Sequence, residues 1–132
     1  MNILAAVFID DIEVRQVSGP STRLDLRGVQ FSLASPQPVP VTIEPHLVVL
    51  VHCPVNHPGT AALEVVYERN GEQVARNVQP LQVEPGRFNY RLVRAELTFT
   101  DYDTIEAQCR IDLGPVTSVP LTLLPPVNDT EG

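Results

Sequence analysis

Residues 103–113 read Asp-Thr-Ile-Glu-Ala-Gln-Cys-Arg-Ile-Asp-Leu, and whether they form a helix or a strand decides the fold class. Two features favour a helix. The surrounding run 87–113 is free of proline, and Asp103-Thr-Ile-Glu106 has the spacing of a capping box. Against it, Ile105, Ala107, Cys109, Ile111 and Leu113 alternate without a break with Glu106, Gln108, Arg110 and Asp112. A period of two puts all five apolar side chains on one face of a strand, whereas a helix would scatter them around its axis. Nine residues of unbroken alternation outweigh one cap, so the segment is read as a strand.

The same pattern extends in both directions. Leu63, Val65 and Tyr67 alternate upstream, and Asn70-Gly71 then separates that strand from Glu72–Val78. Asn-Gly accepts positive φ at both turn positions, which predicts a tight hairpin. Pro85-Gly86 suits the two central positions of a type II turn leading into Phe88, Tyr90 and Leu92. Downstream of Gly114-Pro115, Val119, Leu121 and Leu123 form a closing strand, with Pro120 marking an edge. Leu47–Val51 and Ile3–Ile9 are continuously apolar, as in strands covered on both faces. Between them, Leu24 and Leu26 alternate with charges, and the apolar phase flips after Gly28 to Val29, Phe31 and Leu33, as a β-bulge would produce. Ser35–Pro40 carries three prolines and reads as an extended connection.

Thirteen prolines in 132 residues, spread from Pro20 to Pro126, exclude a helix bundle, since an interior proline costs a helix about 3 kcal/mol. Pro36, Pro38, Pro40, Pro54, Pro58, Pro80, Pro85 and Pro115 are read as strand ends. The connections are too short for helical crossovers, so pairing is mainly antiparallel. The expected architecture is all-β: an antiparallel two-sheet β-sandwich of eight or nine strands, immunoglobulin-like or similar. One domain spans residues 1–124, with a flexible tail at 125–132. There is no tryptophan, so the Cys–Trp–Cys pin of immunoglobulin domains is missing.

Charge narrows the partners. Sixteen acidic and nine basic residues give a net charge of −7, and all nine bases are arginines scattered from Arg15 to Arg110. An acidic chain without a basic stripe repels nucleic acid, and without a polybasic cluster it has no electrostatic anchor on anionic lipid. Arginine in place of every lysine is a coding habit of GC-rich bacteria. Ile3–Ile9 has no basic flank and no small-residue cleavage site after it, and no run approaches the ~20 apolar residues of a membrane span. The expected location is therefore cytoplasmic, where Cys53 and Cys109 remain two buried thiols rather than a disulfide.

Few residues suggest chemistry. His46, His52, Cys53 and His57, with Cys109, raise the possibility of a soft-metal site. However, adjacent strand residues face opposite ways, and the paired C-x2-C or H-x3-H spacings of zinc sites are absent. Asp10, Asp11 and Glu13 follow the first strand, and Asp101 and Asp103 sit between two later ones. Carboxylates clustered in loops at one end of a sandwich could bind calcium, which makes these five the candidates for a calcium- or small-ligand-binding alternative. A glycosidase pair lacks an aromatic sugar cleft, and no nucleophile elbow or glycine-rich phosphate loop occurs. No enzyme activity and no cofactor are expected. What remains is a non-enzymatic protein-interaction or structural module whose partner is another protein or a second copy. Leu92, Val93, Leu97 and Phe99, with Thr98 and Thr100, are its most apolar surface candidates, unless they are ordinary core.

Several of these segments together resemble a family of small uncharacterised bacterial β-sandwich proteins. The resemblance is carried by Phe8-Ile9-Asp10-Asp11, by Leu24-Asp25-Leu26-Arg27-Gly28, by the apolar Leu47–Val51 strand, by Leu63–Gly71 with its Asn-Gly turn, and by Pro85-Gly86-Arg87-Phe88. The stretch after Phe88 is longer than that family's pattern. The resemblance implies a sandwich and assigns no activity and no functional residue.

Overall fold

The computed structural model describes residues 1–16 and 22–127, and every regular element in them is a strand. In chain order these are β1 (Asn2–Ile9), β2 (Asp11–Gln16), β3 (Thr22–Arg27), β4 (Ser32–Ala34), β5 (Val41–Ile43) and β6 (His46–His52), followed by β7 (Thr60–Arg69), β8 (Glu72–Gln82), β9 (Phe88–Arg94), β10 (Leu97–Phe99), β11 (Thr104–Ile111) and β12 (Thr117–Leu124). They pair as a three-stranded sheet β1-β6-β9, a five-stranded sheet β4-β12-β11-β7-β8, and two ribbons, β2-β3 and β10-β5. Pairing is antiparallel except where β4 runs parallel to β12.

The all-β expectation holds, but among the described residues the strand count does not. Twelve strands in four hydrogen-bonded groups replace the eight or nine expected. Three of the extra elements, β4, β5 and β10, are only three residues long. Alternation cannot be recognised over so short a span.

The decisive segment is a strand, β11. Ile105, Ala107, Cys109 and Ile111 are buried and form one face against Tyr67, Val65 and Leu63 of β7. Leu113, the last member of the alternation, is exposed. The chain turns at Asp112 (φ 52°), where the Gly114 amide donates to the Ile111 carbonyl. One apolar cluster joins Phe8, Leu47, Val49, Val51 and Val93 of the three-stranded sheet to the buried faces of β7, β11 and β12. Asn70 and Gly71 both have positive φ, as the hairpin requires. The turn at Pro85-Gly86 closes through the Arg87 amide on the Glu84 carbonyl, with Gly86 at φ 83°.

Four readings are corrected. Ile3–Ile9 is not covered on both faces: β1 is an edge strand, Leu4 bulges out of register with β6, and only Phe8 and Ile9 are buried. Gly28 marks no bulge within a continuous strand. It ends β3 at φ 66° and lets the chain turn beside Asp10. Asp11 and Glu13 lie on a strand, β2, rather than in a loop. Pro80 does not end β8 but sits inside it, opposite Ala62. The Val83 amide donates to the Gly59 carbonyl at 2.8 Å, which makes Thr60–Gln82 a non-hydrogen-bonded pair and, by alternation, Ala62–Pro80 another. The Pro80 nitrogen therefore points to the open side of an edge strand, where no ladder donor is lost. Pro120 obeys the same rule, since β4 covers β12 only over Thr122–Leu124. Of the expected tail, residues 125–127 follow β12 outside any strand, and 128–132 lie outside the described residues.

Candidate functional site

The β2-β3 ribbon is an amphipathic hairpin. Ile12 pairs with Leu26 and Val14 with Leu24, so these four apolar side chains share one face. The other face is charged. Glu13 lies opposite Asp25 and Arg15 opposite Arg23, and the like-charge pairings are relieved by diagonal ion pairs, Arg15 to Asp25 and Arg27 to Glu13, with Asp11 also 3.8 Å from Arg27. The hairpin leaves the β1-β6-β9 sheet at Asp10, whose amide donates to the Arg27 carbonyl at 2.9 Å. It rejoins through the Gln30 amide on the Phe8 carbonyl.

An open groove of about 800 Å³ lies between the hairpin and the outer face of that sheet. Val14 and Leu24 form one wall, and Leu4, His52, Phe88 and Tyr90 form the other. Register explains the second wall: His52 faces Phe88 and Leu50 faces Tyr90 across β6 and β9, on the side away from the main core. Leu4 is 59 % exposed, Val14 48 % and Phe88 52 %, so the groove gathers apolar surface that stands open to water. Its rim carries Glu84 and Arg87, 3.3 Å apart as an exposed ion pair.

Three strand edges are defended. β1 has its bulge at Leu4, and β8 carries Pro80 and a register shift opposite Tyr67/Glu68. β9 is protected by its own side chains. The Cys53 amide bonds the Arg87 carbonyl, so His52–Phe88 and Leu50–Tyr90 are non-hydrogen-bonded pairs, and the main chain of Tyr90 faces outward. Its amide donates to Asn89 Oδ1 (2.8 Å) and its carbonyl accepts from Arg91 Nη1 (3.0 Å). An incoming strand would have to displace both.

The sequence candidates fall elsewhere. Val93, Leu97 and Phe99 are buried core, and of this set only Leu92, half-buried, reaches the surface. Asp10 and Asp103 lie at the same end of the fold, linked through backbone bonds from the Gln30 amide to the Phe8 carbonyl, from the Thr122 amide to the Phe31 carbonyl, and from the Leu123 amide to the Asp103 carbonyl. Their carboxylates nonetheless have separate partners. Asp101 accepts from the Tyr102 amide, Asp103 lies 3.8 Å from Arg69, and Asp11 and Glu13 face Arg27. His46 and His52 stand at opposite ends of β6, and His57 Nδ1 accepts from the Gly59 amide at 3.0 Å, 3.7 Å from Cys53 Sγ. Among the described residues, no three His, Cys, Asp or Glu side chains gather closely enough to hold a metal ion.

Cys53 and Cys109 are buried and unbridged, and burial pushes the Cys109 thiol up to about 12. No helix among the described residues is long and apolar enough to cross a membrane. The groove escaped sequence reading because its walls come from five separate stretches, around residues 4, 14, 24, 52 and 88. The chain matches no protein-family model and no curated protein.

Proposed function

We propose that the chain is a non-enzymatic interaction module that binds a partner protein through the groove beneath the β2-β3 hairpin. The observation that carries this reading is the collection of Leu4, Val14 and Phe88, all about half exposed, in one open depression. Exposed apolar surface gathered in this way is characteristic of protein contact sites. The defended edges favour contact through a sheet face over strand addition. In this reading the hydrogen-bonded groups pack as two layers, β1-β6-β9 with β5-β10 on one side and the five-stranded sheet on the other, as an immunoglobulin-like sandwich. The single apolar cluster shared by both sides supports that grouping. Two unbridged thiols fit a reducing cytoplasm.

The test compares the wild-type chain with Phe88→Asp and Leu4→Asp, using capture from native lysate and light scattering. Val78→Asp, on the outer face of β8, is the control. The reading expects a captured protein or a multimer that is lost in the two groove variants and retained in the control. A monomer that captures nothing, or capture indifferent to groove substitution, overturns it.

A further inference from the structure

A smaller cavity of about 270 Å³ lies at the opposite end of the β1-β6-β9 sheet from the groove, where the turn after β1 meets the turn before β6. Ile9 and Ile43 contribute apolar wall, and Asp10, Gln30, Glu44 and His46 contribute polar groups. Its volume falls below the range of sites for drug-sized ligands and is on the scale of a single side chain.

The polar groups are unbalanced toward acceptors. Gln30 Nε2 donates to Asp10 Oδ1 at 3.3 Å, which leaves the Gln30 amide oxygen as a further acceptor. Asp10 and Glu44 are both exposed, and neither enters an ion pair among the described residues. A Cβ at residue 28 would stand 2.2 Å from Asp10 Oδ2, so the carboxylate occupies room that only glycine leaves. Two carboxylates without an ion pair among the described residues and an amide oxygen, set against the His46 ring as the further donor-capable group, favour a ligand rich in donors, without acceptors, on an apolar stem. Guanidinium meets that description, with five N–H donors in a planar fork that suits carboxylates. The net charge of −7 favours the approach of a basic partner.

We propose that this cavity receives an arginine side chain of a partner protein, its stem against Ile9 and Ile43 and its guanidinium between Asp10 and Glu44. The partner rests on the interaction reading above, but the cavity is separate from the groove, so either can fail alone.

The experiment titrates isotope-labelled protein with N-acetyl-arginine amide and, separately, with the neutral isostere N-acetyl-citrulline amide, following backbone amides by NMR. Arginine is expected to give saturable shifts at Asp10, Gln30, Glu44 and His46 that weaken with salt and fall several-fold in Asp10→Asn and in Glu44→Gln. Citrulline is expected to give none. Phe88→Asp is expected to leave the arginine titration intact, which separates this cavity from the groove. Absence of shifts at these amides, equal shifts with citrulline, or shifts that persist in the Asp10→Asn/Glu44→Gln double variant would each overturn the proposal.

Discussion

Arg110 Nε lies 2.7 Å from Glu64 Oε1, bridging two residues that stand directly opposite each other on β11 and β7. The second oxygen of the same carboxylate is held from the other side by Arg76 of β8, at 2.8 Å through Nε and 2.7 Å through Nη2. One glutamate thus ties three adjacent strands of the five-stranded sheet across its outer face.

The hydrogen bonds from Arg76, and then from Arg110, hold the Glu64 carboxyl below its ordinary range. A depressed carboxyl contributes stability that is complete above the unfolded-state value and is lost as pH falls through the folded one. Glu64→Gln is therefore expected to lower the melting temperature at neutral pH. The gap to wild type is expected to close as the solution is acidified, as followed by thermal melts across an acid series.

Tyr67 is fully buried, and its hydroxyl has no hydrogen-bond partner among the described residues. Removing an unsatisfied buried hydroxyl while keeping the ring relieves a desolvation cost of about 1–3 kcal/mol. Tyr67→Phe is expected to raise stability by about 1 kcal/mol in denaturant titration. Tyr67→Ala is expected to lower it by about 3–5 kcal/mol through the cavity it leaves.

Cys109 faces the core beside Val65, and its thiol is pushed up to about 12 by burial. Only the thiolate reacts, and both cysteines are buried, so the native protein is expected to be inert to a disulfide reagent at mildly alkaline pH. Denaturation is expected to release both Cys53 and Cys109 to it. Fast labelling of the folded protein would contradict the buried setting of these cysteines.

Asp10, Asp11, Glu13, Asp101 and Asp103 do not converge on one point, although Asp10 and Asp103 share an end of the fold. A ligand that binds only the folded state must raise its melting temperature. Millimolar calcium is expected to leave that temperature unchanged, and chelator likewise. A calcium-dependent rise would restore the acidic-loop reading.

What was legible in the sequence follows from how each signal arises. Alternation reports a strand with one wet face, and it located β7, β11 and β12 because their inward residues meet a single core. A continuous apolar run is ambiguous. In β6 it marked a central strand, whereas in β1 it ran along an edge and left Leu4 in water. β2 was hidden because its polar face is acidic enough to resemble a ligand loop. Pro80 misled because proline blocks only one side of a strand, and sequence does not tell which side is free. The groove and the small cavity are assembled from segments distant in the chain, and no local pattern encodes such a meeting.

The hydrogen bond from the Asp10 amide to the Arg27 carbonyl, beside that from the Gln30 amide to the Phe8 carbonyl, sets the two ends of a nineteen-residue excursion, residues 10–28, next to each other. A segment whose ends already meet can change length or composition with little consequence for the register of the strands that flank it, since loop closure costs grow only slowly with length. One wall of the groove therefore lies on a part of the chain that can diversify independently of the core. Substitutions in residues 10–28 can reshape that wall while the sheets beneath keep their register.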